Sequence, residues 1–143
     1  MKKLFTILCI GFITMSAMAQ EKTIATIDPN APVFEFEAEV IDYGKIEYKA
    51  DGVRTFKFKN TGKSPLIISR IQSSCGCTTP KKPKHPIMPG ETGEIDVKYA
   101  TNRVGGFSKT ITVYSNATEK MKRLRIKGIV GKNPALAKKK ASK

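Results

Sequence analysis

The sequence predicts an all-β protein: an immunoglobulin-like β-sandwich of about seven strands, preceded by a cleaved signal peptide. Apolar and polar residues alternate over several short segments, and turn-forming residues separate these segments. After the first nineteen residues, no window of ten or more shows a helical period, apart from the basic sequence "PALAKKKASK" at the C-terminus. Short alternating segments separated by turns are typical of β-sandwiches.

The beginning of the chain has the features of a secretory signal peptide. Two lysines follow the first methionine, residues 4–15 are almost wholly apolar, and "AMA" at 17–19 fits the small-residue cleavage rule. We therefore predict that residues 1–19 are a signal peptide cleaved between Ala19 and Gln20. The protein is expected to be exported to the periplasm or the extracellular space. No second long apolar run follows, so we expect no transmembrane span after the signal is removed.

Composition divides the remaining chain into three parts. Residues 20–32 contain two prolines and are predicted to be an extended lead-in. Residues 33–131 contain the alternating segments and form the predicted sandwich, which is long enough to bury a hydrophobic core. Residues 132–143 are predicted to be a flexible basic tail, too short and too uniformly charged for a stable helix.

The first predicted strand covers residues 33–40, where alternation is strict. Its inward face is predicted to consist of Phe34, Phe36, Ala38 and Val40. Residues 42–46 continue the strand past a glycine, at which it bends or ends. The outward glutamates are expected beside a basic strand, either 123–127 (favoured) or 55–59, because opposite charges on adjacent strands attract.

Five further strands are predicted from the same period of two. The segment 66–71 is a β-branched apolar run suited to a central strand. In the other four segments, the predicted inward residues are Phe56 and Phe58; Ile95, Val97 and Tyr99; Phe107, Ile111 and Val113; and Leu124, Ile126 and Val130. Turns are predicted at 60–62, 89–90 and 102–106.

Charge is unevenly distributed in a chain whose formal net charge is +14. Residues 21–51 contain eight acids and three bases, whereas 52–90 contain eight bases and no acid, and 120–143 contain ten bases and no acid. For an exported protein, this balance favours a protein partner or an anionic envelope component, such as a glycan or lipid head group, over nucleic acid. A solvated basic surface is the alternative interpretation.

Three segments resemble a known family: "TFKFKNTGKSPLIISRIQSSCGCTTP", "PIMPGETGEIDVKYATNRVGGFSKTITVYSN" and "LRIKGIV". They closely resemble the secreted bacterial domain-of-unknown-function family 1573, which is common in Bacteroidetes, from about Val33 to Val130. The most specific part is "SSCGCT". Tyr43-Gly44 departs mildly from the family, which often has phenylalanine there. The resemblance implies an immunoglobulin-like sandwich, similar to sperm-protein and cilia-associated modules and distantly to pilus chaperones. It implies no enzyme activity.

Cys75 and Cys77 flank a single glycine and admit several interpretations. In an oxidising compartment, two cysteines are expected to be oxidised or metal-bound. Strand geometry places both side chains on one face with the Cα atoms near the upper limit for a disulfide, and Gly76 would let the backbone bulge. In the structural interpretation, the pair packs as small hydrophobic residues or forms a local disulfide that fixes the turn.

Metal binding and thiol chemistry are the alternatives. Cys75, Cys77, His85 and Met88 are soft or borderline ligands that could bind copper or zinc, although Lys81, Lys82 and Lys84 crowd the same loop with positive charge. Those lysines could instead stabilise a thiolate for thiol–disulfide exchange, but no helix or thioredoxin-like pattern is predicted nearby. An intermolecular disulfide is the last possibility.

We predict no catalytic residue and no cofactor. His85 is the single histidine, it matches no functional position of the family, and residues 52–90 contain no acid that could orient it. We therefore expect a non-catalytic binding or structural module, not an enzyme. The proline-rich loop 80–90 and the basic C-terminal segment are the candidate contact surfaces. The sequence does not fix the oligomeric state.

Overall fold

Eight strands make up the regular structure in the computed structural model, which describes residues 28–132. The strands are β1 (Phe34–Phe36), β2 (Val40–Ile46), β3 (Val53–Asn60), β4 (Ile68–Ser73), β5 (Thr78–Lys81), β6 (Thr92–Tyr99), β7 (Gly105–Ser115) and β8 (Met121–Val130). The predicted signal peptide with its cleavage site at Ala19 and Gln20, and the tail from residue 133, lie outside the described residues. Within the described part, no helix has the length and apolarity that crossing a membrane requires.

The strands form two four-stranded sheets, ordered β1-β3-β6-β5 and β2-β8-β7-β4. All pairings are antiparallel except that of β2 with β8, which is parallel. With β1 and β2 as the two halves of the first strand, this is the ABED and CFG arrangement of an immunoglobulin sandwich. The predicted fold class is confirmed, with eight strands in place of about seven.

The first predicted strand is two strands in different sheets. β1 ends at Phe36 and pairs with β3, whereas β2 begins at Val40 and pairs with β8. The chain therefore crosses from one sheet to the other at residues 37–39. The prediction that Ala38 and Val40 face inward is wrong, because both are exposed once the crossing ends the alternation.

This crossing brings the acidic segment beside both of the basic strands proposed for it. Glu35 lies opposite Lys59 of β3, and the Glu39 carboxylate lies 2.6 Å from the Lys122 ammonium of β8. On β2, Asp42 forms a second ion pair with Lys127, at 3.2 Å. Part of the acidic segment therefore lies beside the favoured strand, β8, and part beside the alternative, β3, because the two halves of the segment belong to different sheets.

Two predictions about the middle of the chain are wrong. The apolar run 66–71 was assigned to a central strand, but β4 lies at the edge of its sheet, with its outward side chains exposed. The proline-rich loop begins later than predicted, because residues 78–81 form β5, which pairs with β6. Pro80 is tolerated in β5 because an edge strand leaves alternate backbone groups unpaired.

The core forms where the inward residues of the two sheets meet. The residues buried most completely include Phe56, Phe58, Leu66, Ile95, Val97, Ile111, Val113, Leu124, Ile126 and Val130. Apart from Leu66, all of them were predicted inward from the period of two. Burying a side chain such as Phe56 contributes roughly 2 to 3 kcal/mol relative to leaving it in water.

A buried tyrosine connects the two sheets at one end of this core. The Tyr43 hydroxyl donates to the carbonyl of Gly52 (2.9 Å), and the carbonyl oxygen of Val97 lies 3.3 Å away. Its ring packs edge-on against Phe107, which stacks on Tyr99. Burial raises the pKa of Tyr43 to about 12. The hydroxyl therefore stays protonated and acts as a fixed structural donor.

Candidate functional site

The Cys-Gly-Cys sequence forms the turn that connects the edge strands β4 and β5, which belong to different sheets. The Cα atoms of Cys75 and Cys77 are 5.2 Å apart, and their Sγ atoms lie at disulfide distance. This cross-link closes a tight loop at the point where the chain passes between the sheets. The turn therefore links one sheet edge to the other through the backbone, and the sulfur pair lies within it.

The two sulfurs differ in exposure. Cys77 is buried at 7% exposure and packs in the core, whereas Cys75 is half-buried. The Thr78 hydroxyl lies 3.6 Å from the sulfur of Cys75 and 3.8 Å from that of Cys77. The Ser73 hydroxyl donates to the Cys75 carbonyl at 2.9 Å. A thiolate attacking from solvent would therefore reach the Cys75 side of the cross-link more easily.

Gly76 does not have the role that the sequence analysis gave it. Its φ is not positive, and a Cβ atom built there would meet no heavy atom within 4 Å. Residues with side chains can adopt this geometry, so the two sulfurs approach each other without requiring glycine between them.

The four predicted metal ligands are not all brought together. The structure joins Cys75 and Cys77, but His85 and Met88 are exposed on the loop beyond β5. In residues 28–132, no group of three or more His, Cys, Asp or Glu side chains has an arrangement that could hold a metal ion. The set predicted from spacing therefore reduces to a cysteine pair in this structure.

The loop after β5 is held firmly against the body of the sandwich. Lys82 donates from its ammonium to the carbonyls of Ile68 (3.3 Å) and Ser69 (3.2 Å) on β4. Further along, Leu66 and Ile87 exchange two backbone hydrogen bonds of 2.8 and 2.9 Å as an isolated antiparallel bridge. The lysine also occupies carbonyls at the β4 edge, which restricts the pairing of a further strand there.

A buried asparagine organises this end of the molecule. The side chain of Asn60, the fully buried last residue of β3, makes four hydrogen bonds. Its amide donates to the carbonyls of Ser64 (2.8 Å) and Ile87 (2.9 Å), and its Oδ1 accepts from the backbone N–H groups of Gly62 (3.0 Å) and Val33 (3.3 Å). One side chain therefore joins three loops. From sequence, Asn60 is predicted only as part of the turn at 60–62, and this role is not predicted.

The signal that could have identified this asparagine is its position in the alternation of β3. Phe56 and Phe58 point inward, so the next residue of the same parity, Asn60, points inward too. A polar residue at an inward position must find hydrogen-bond partners, because burying an unpaired amide is costly. A polar residue at an inward strand position, just before a turn, therefore indicates a side chain that organises the adjoining loops.

A second asparagine extends the network to the β7–β8 turn. Asn116 accepts from the N–H of Ile67 at 2.7 Å and donates to the Pro65 carbonyl at 3.0 Å. Thr118 donates its N–H to the Pro32 carbonyl at 3.0 Å. We call this joined set of loops (28–33, 61–67, 86–91 and 116–120) the loop end of the sandwich.

The loop end presents apolar side chains to solvent. Leu66 and Ile87 point into the core, so their chain neighbours Ile67 and Met88 point outward, at 49% and 53% exposure. The Met88 N–H donates to the Glu91 carboxylate at 2.8 Å, which fixes the backbone beneath the methionine. Two exposed apolar side chains thus stand on a backbone that is already ordered.

Asp42, Glu39 and Glu119, which lie near β2 and β8, form ion pairs with lysines of β8. A hydrogen bond from the Gly44 N–H, followed by one from Lys127, holds the pKa of Asp42 below its usual value. A hydrogen bond to Glu39, assisted by one to Glu119, raises the pKa of Lys122. The charges of Lys127 and Lys122 are therefore balanced by neighbouring carboxylates.

Comparison with known proteins identifies a family and a fold. Residues 34–130 match the family described as "Protein of unknown function (DUF1573)". None of the curated proteins compared with the chain matches it. Among solved structures, the chain is similar to a protein of unknown function from Porphyromonas gingivalis W83, with a TM-score of 0.64 and 14% identity. That alignment covers 75% of this chain and 51% of the other, so the chain spans about half its length.

Two other similar structures share the same architecture. One is the ASH/PapD-like domain 7 of human CEP192, with a TM-score of 0.61, 8% identity, and coverage of 74% of this chain and 90% of that one. The other is the periplasmic chaperone SfaE, with a TM-score of 0.50, 13% identity, and coverage of 74% and 64%. At these identities the likeness establishes a PapD-like, immunoglobulin-type fold and nothing about ligands.

Proposed function

This chain belongs to the DUF1573 family, whose function is unknown, and we propose that it is an exported, non-catalytic module of the bacterial cell envelope that works by binding a protein. The N-terminal sequence, with its basic start, apolar run and "AMA" at 17–19, supports export. The immunoglobulin-type fold supports binding, because such folds carry recognition on loops positioned by a rigid scaffold.

The loop end is the observation that carries this proposal. Its backbone is fixed by the Asn60 and Asn116 hydrogen bonds, while Ile67 and Met88 stay exposed. Exposed apolar side chains on an ordered backbone suit a protein partner, since little entropy is lost when the surface is covered. Methionine adapts its shape to a partner surface at small cost.

A pull-down from native envelope extract tests this proposal with a matched pair of variants. The double variant Ile67→Lys, Met88→Lys places two charges on the loop end, and the control Val53→Lys, Val104→Lys places two charges at exposed valines outside it. We expect the double variant to lose a partner that the wild type and the control both retain. Equal retention by all three proteins would overturn the loop end as the binding surface.

A second candidate function is thiol–disulfide chemistry at the Cys75–Cys77 pair. It is favoured by the sulfurs lying at disulfide distance with Cys75 half-exposed. In such a reaction, a substrate thiolate attacks the Cys75 sulfur, a mixed disulfide forms, and Cys77 leaves as a thiolate that is then protonated. A second substrate thiol then releases Cys75, so the substrate is oxidised and the protein is reduced.

Intact mass and metal content separate the candidates. A mass two hydrogens below that of the dithiol supports a stable cross-link, retained copper or zinc supports a metal site, and thiols that cycle with a dithiol substrate support exchange. The double variant Cys75→Ser, Cys77→Ser decides between binding and sulfur chemistry. If it folds and keeps the envelope partner, binding does not need the sulfurs. If it folds and loses that partner, chemistry at the sulfurs is the better account.

A further inference from the structure

We propose that the outer face of the β2-β8-β7-β4 sheet binds a linear anionic polysaccharide. This inference goes beyond the proposed protein binding and names a ligand class for a second surface, separate from the loop end. The face, which we call the cationic face, consists of Arg70 on β4, the hydroxyl residues Ser108, Thr110 and Thr112 on β7, and Arg123, Arg125 and Lys127 on β8.

The cations of β8 form a regular row. Arg123, Arg125 and Lys127 alternate with the buried or half-buried residues of β8, so all three project from the outer side of the sheet. Alternate residues of a strand lie roughly 7 Å apart, so the row spans about 14 Å. A straight row of evenly spaced cations is complementary to a straight chain that carries repeated negative charge.

On the β7 side, each of these cations faces a hydroxyl residue and not an acid; on the β2 side, Arg125 lies opposite Val40 and Lys127 opposite Asp42. In the β7–β8 register, Arg123 lies opposite Thr112, Arg125 opposite Thr110, and Lys127 opposite Ser108. Hydroxyl groups both donate and accept hydrogen bonds. The surface therefore presents charge for an anion beside donors and acceptors for a hydroxyl-rich ligand.

The opposite sheet shows that this arrangement is specific to one face. On the outer face of β1-β3-β6-β5, cations lie directly opposite acids. These cross-strand pairs are Glu35 with Lys59, Lys57 with Glu94, and Lys81 with Asp96. That face pairs three cations with acids across its strands, whereas in the β8 row of the cationic face Lys127 has such a partner, Asp42, and the two arginines have none among the described residues. A bound polyanion would relieve the repulsion within the β8 row.

The acids near the row form ion pairs with lysines, so two arginines of the row can bind an anionic ligand. Asp42 is the acid on this face, and it pairs with Lys127 at 3.2 Å. Glu39 and Glu119, at the sheet border, pair with Lys122. None of the ion pairs in residues 28–132 involves Arg123 or Arg125. Their guanidinium groups can each bind a carboxylate through two parallel hydrogen bonds.

The same face suits a polysaccharide better than nucleic acid or a bilayer. Single-stranded nucleic acid is bound by stacking bases on open aromatic rings, but the ring of Tyr114, the aromatic residue on this face, is covered by the Arg70 guanidinium at 4.2 Å. A bilayer is bound by inserted apolar side chains beside basic ones, and this face does expose Val40 opposite Arg125 and Ile129 beyond Lys127. Hydroxyl residues occupy the whole β7 side of the row, which favours the polysaccharide. Carboxylates and hydroxyls along one chain match what this surface offers.

Binding of polygalacturonate, with neutral dextran as the uncharged probe, tests the proposal on the full exported chain. The triple variant Arg123→Gln, Arg125→Gln, Lys127→Gln removes the row. Two controls remove three cations elsewhere: Lys138→Gln, Lys139→Gln, Lys140→Gln in the tail and Lys57→Gln, Lys59→Gln, Lys98→Gln on the opposite sheet. We expect the row variant to lose about tenfold or more in affinity, and each control less than about threefold.

Salt dependence and a direct map complete the test. The slope of log affinity against log salt between roughly 50 and 200 mM should become shallower in the row variant only. If that variant does not fold, amide shifts of the wild type on adding polygalacturonate decide: they should cluster on Ser108, Thr110 and Thr112. Equal losses in row and tail variants, stronger binding to DNA or to anionic vesicles, or no binding at low salt would overturn the proposal. The loop-end pull-down is independent of all these outcomes.

Discussion

The side-chain amide of Asn60 donates to the carbonyl of Ile87 at 2.9 Å, across 27 residues of sequence. Both residues are buried, and the backbone of Ile87 also pairs with Leu66. The hydrogen bond therefore ties the loop that carries Met88 to the end of β3. The geometry of the loop end depends on this side chain together with Asn116 and the Leu66–Ile87 bridge.

Replacing Asn60 with alanine is expected to lower the free energy of unfolding by about 2 to 4 kcal/mol. The change removes four side-chain hydrogen bonds and leaves the N–H groups of Gly62 and Val33 without the acceptor they have in the structure. Urea denaturation measures the effect. Asn102→Ala, at an exposed turn position, is the control and should change stability by less than about 0.5 kcal/mol. Similar losses for both variants would contradict the organising role of Asn60.

The core could be predicted from sequence because its signal is local. Phe56, Phe58, Ile95 and Val97 alternate with polar residues, and each strand has one buried face, so parity alone identifies them. The crossing at residues 37–39 could not be predicted in this way. Whether Val40 continues β1 or starts a strand in the other sheet depends on pairing with β8, more than eighty residues away.

The candidate site was predicted only in part, for a similar reason. The closeness of Cys75 and Cys77 follows from their two-residue separation, so sequence was sufficient for that pair. Including His85 and Met88 required knowledge of where the loop returns. That path is set by the Leu66–Ile87 bridge, a contact between residues 21 positions apart that no spacing rule reveals.

Replacing Gly128 with alanine is expected to destabilise the fold by about 1 to 3 kcal/mol through overpacking. A Cβ atom at this position of β8 would lie 2.8 Å from Cβ of Tyr43 and 3.0 Å from Cζ of Phe107. Gly106→Ala on β7 is the matched control, because the nearest atom there is 4.0 Å away. Thermal unfolding should separate the two variants, and equal melting temperatures would show that the backbones of β2 and β8 shift enough to admit the methyl group.

The double variant Cys75→Ser, Cys77→Ser is expected to fold and to lose less than about 2 kcal/mol. A cross-link between residues two positions apart closes a very short loop, so it restrains the unfolded chain little. Circular dichroism and urea denaturation of wild type and variant measure this. A variant that fails to fold would show that the turn between β4 and β5 depends on the cross-link. Gly76→Ala keeps both sulfurs and should behave as wild type, since no heavy atom lies near its added Cβ.

Tyr43 is expected to make the fold sensitive to alkaline pH. Burial raises the pKa of its hydroxyl to about 12, above the value near 10 in the unfolded chain. Below pH 10 both states keep the proton, so the full stability is present. As pH rises toward 12, the unfolded chain ionises first and gains stability, so the free energy of unfolding falls by about 2 kcal/mol. Tyr43→Phe cannot ionise there and should lose less over this range, although it lacks the hydrogen bond to the Gly52 carbonyl at all pH values. Urea denaturation of both proteins at pH 8 and above measures the difference, and parallel decreases in the two proteins would show that other groups cause the alkaline loss.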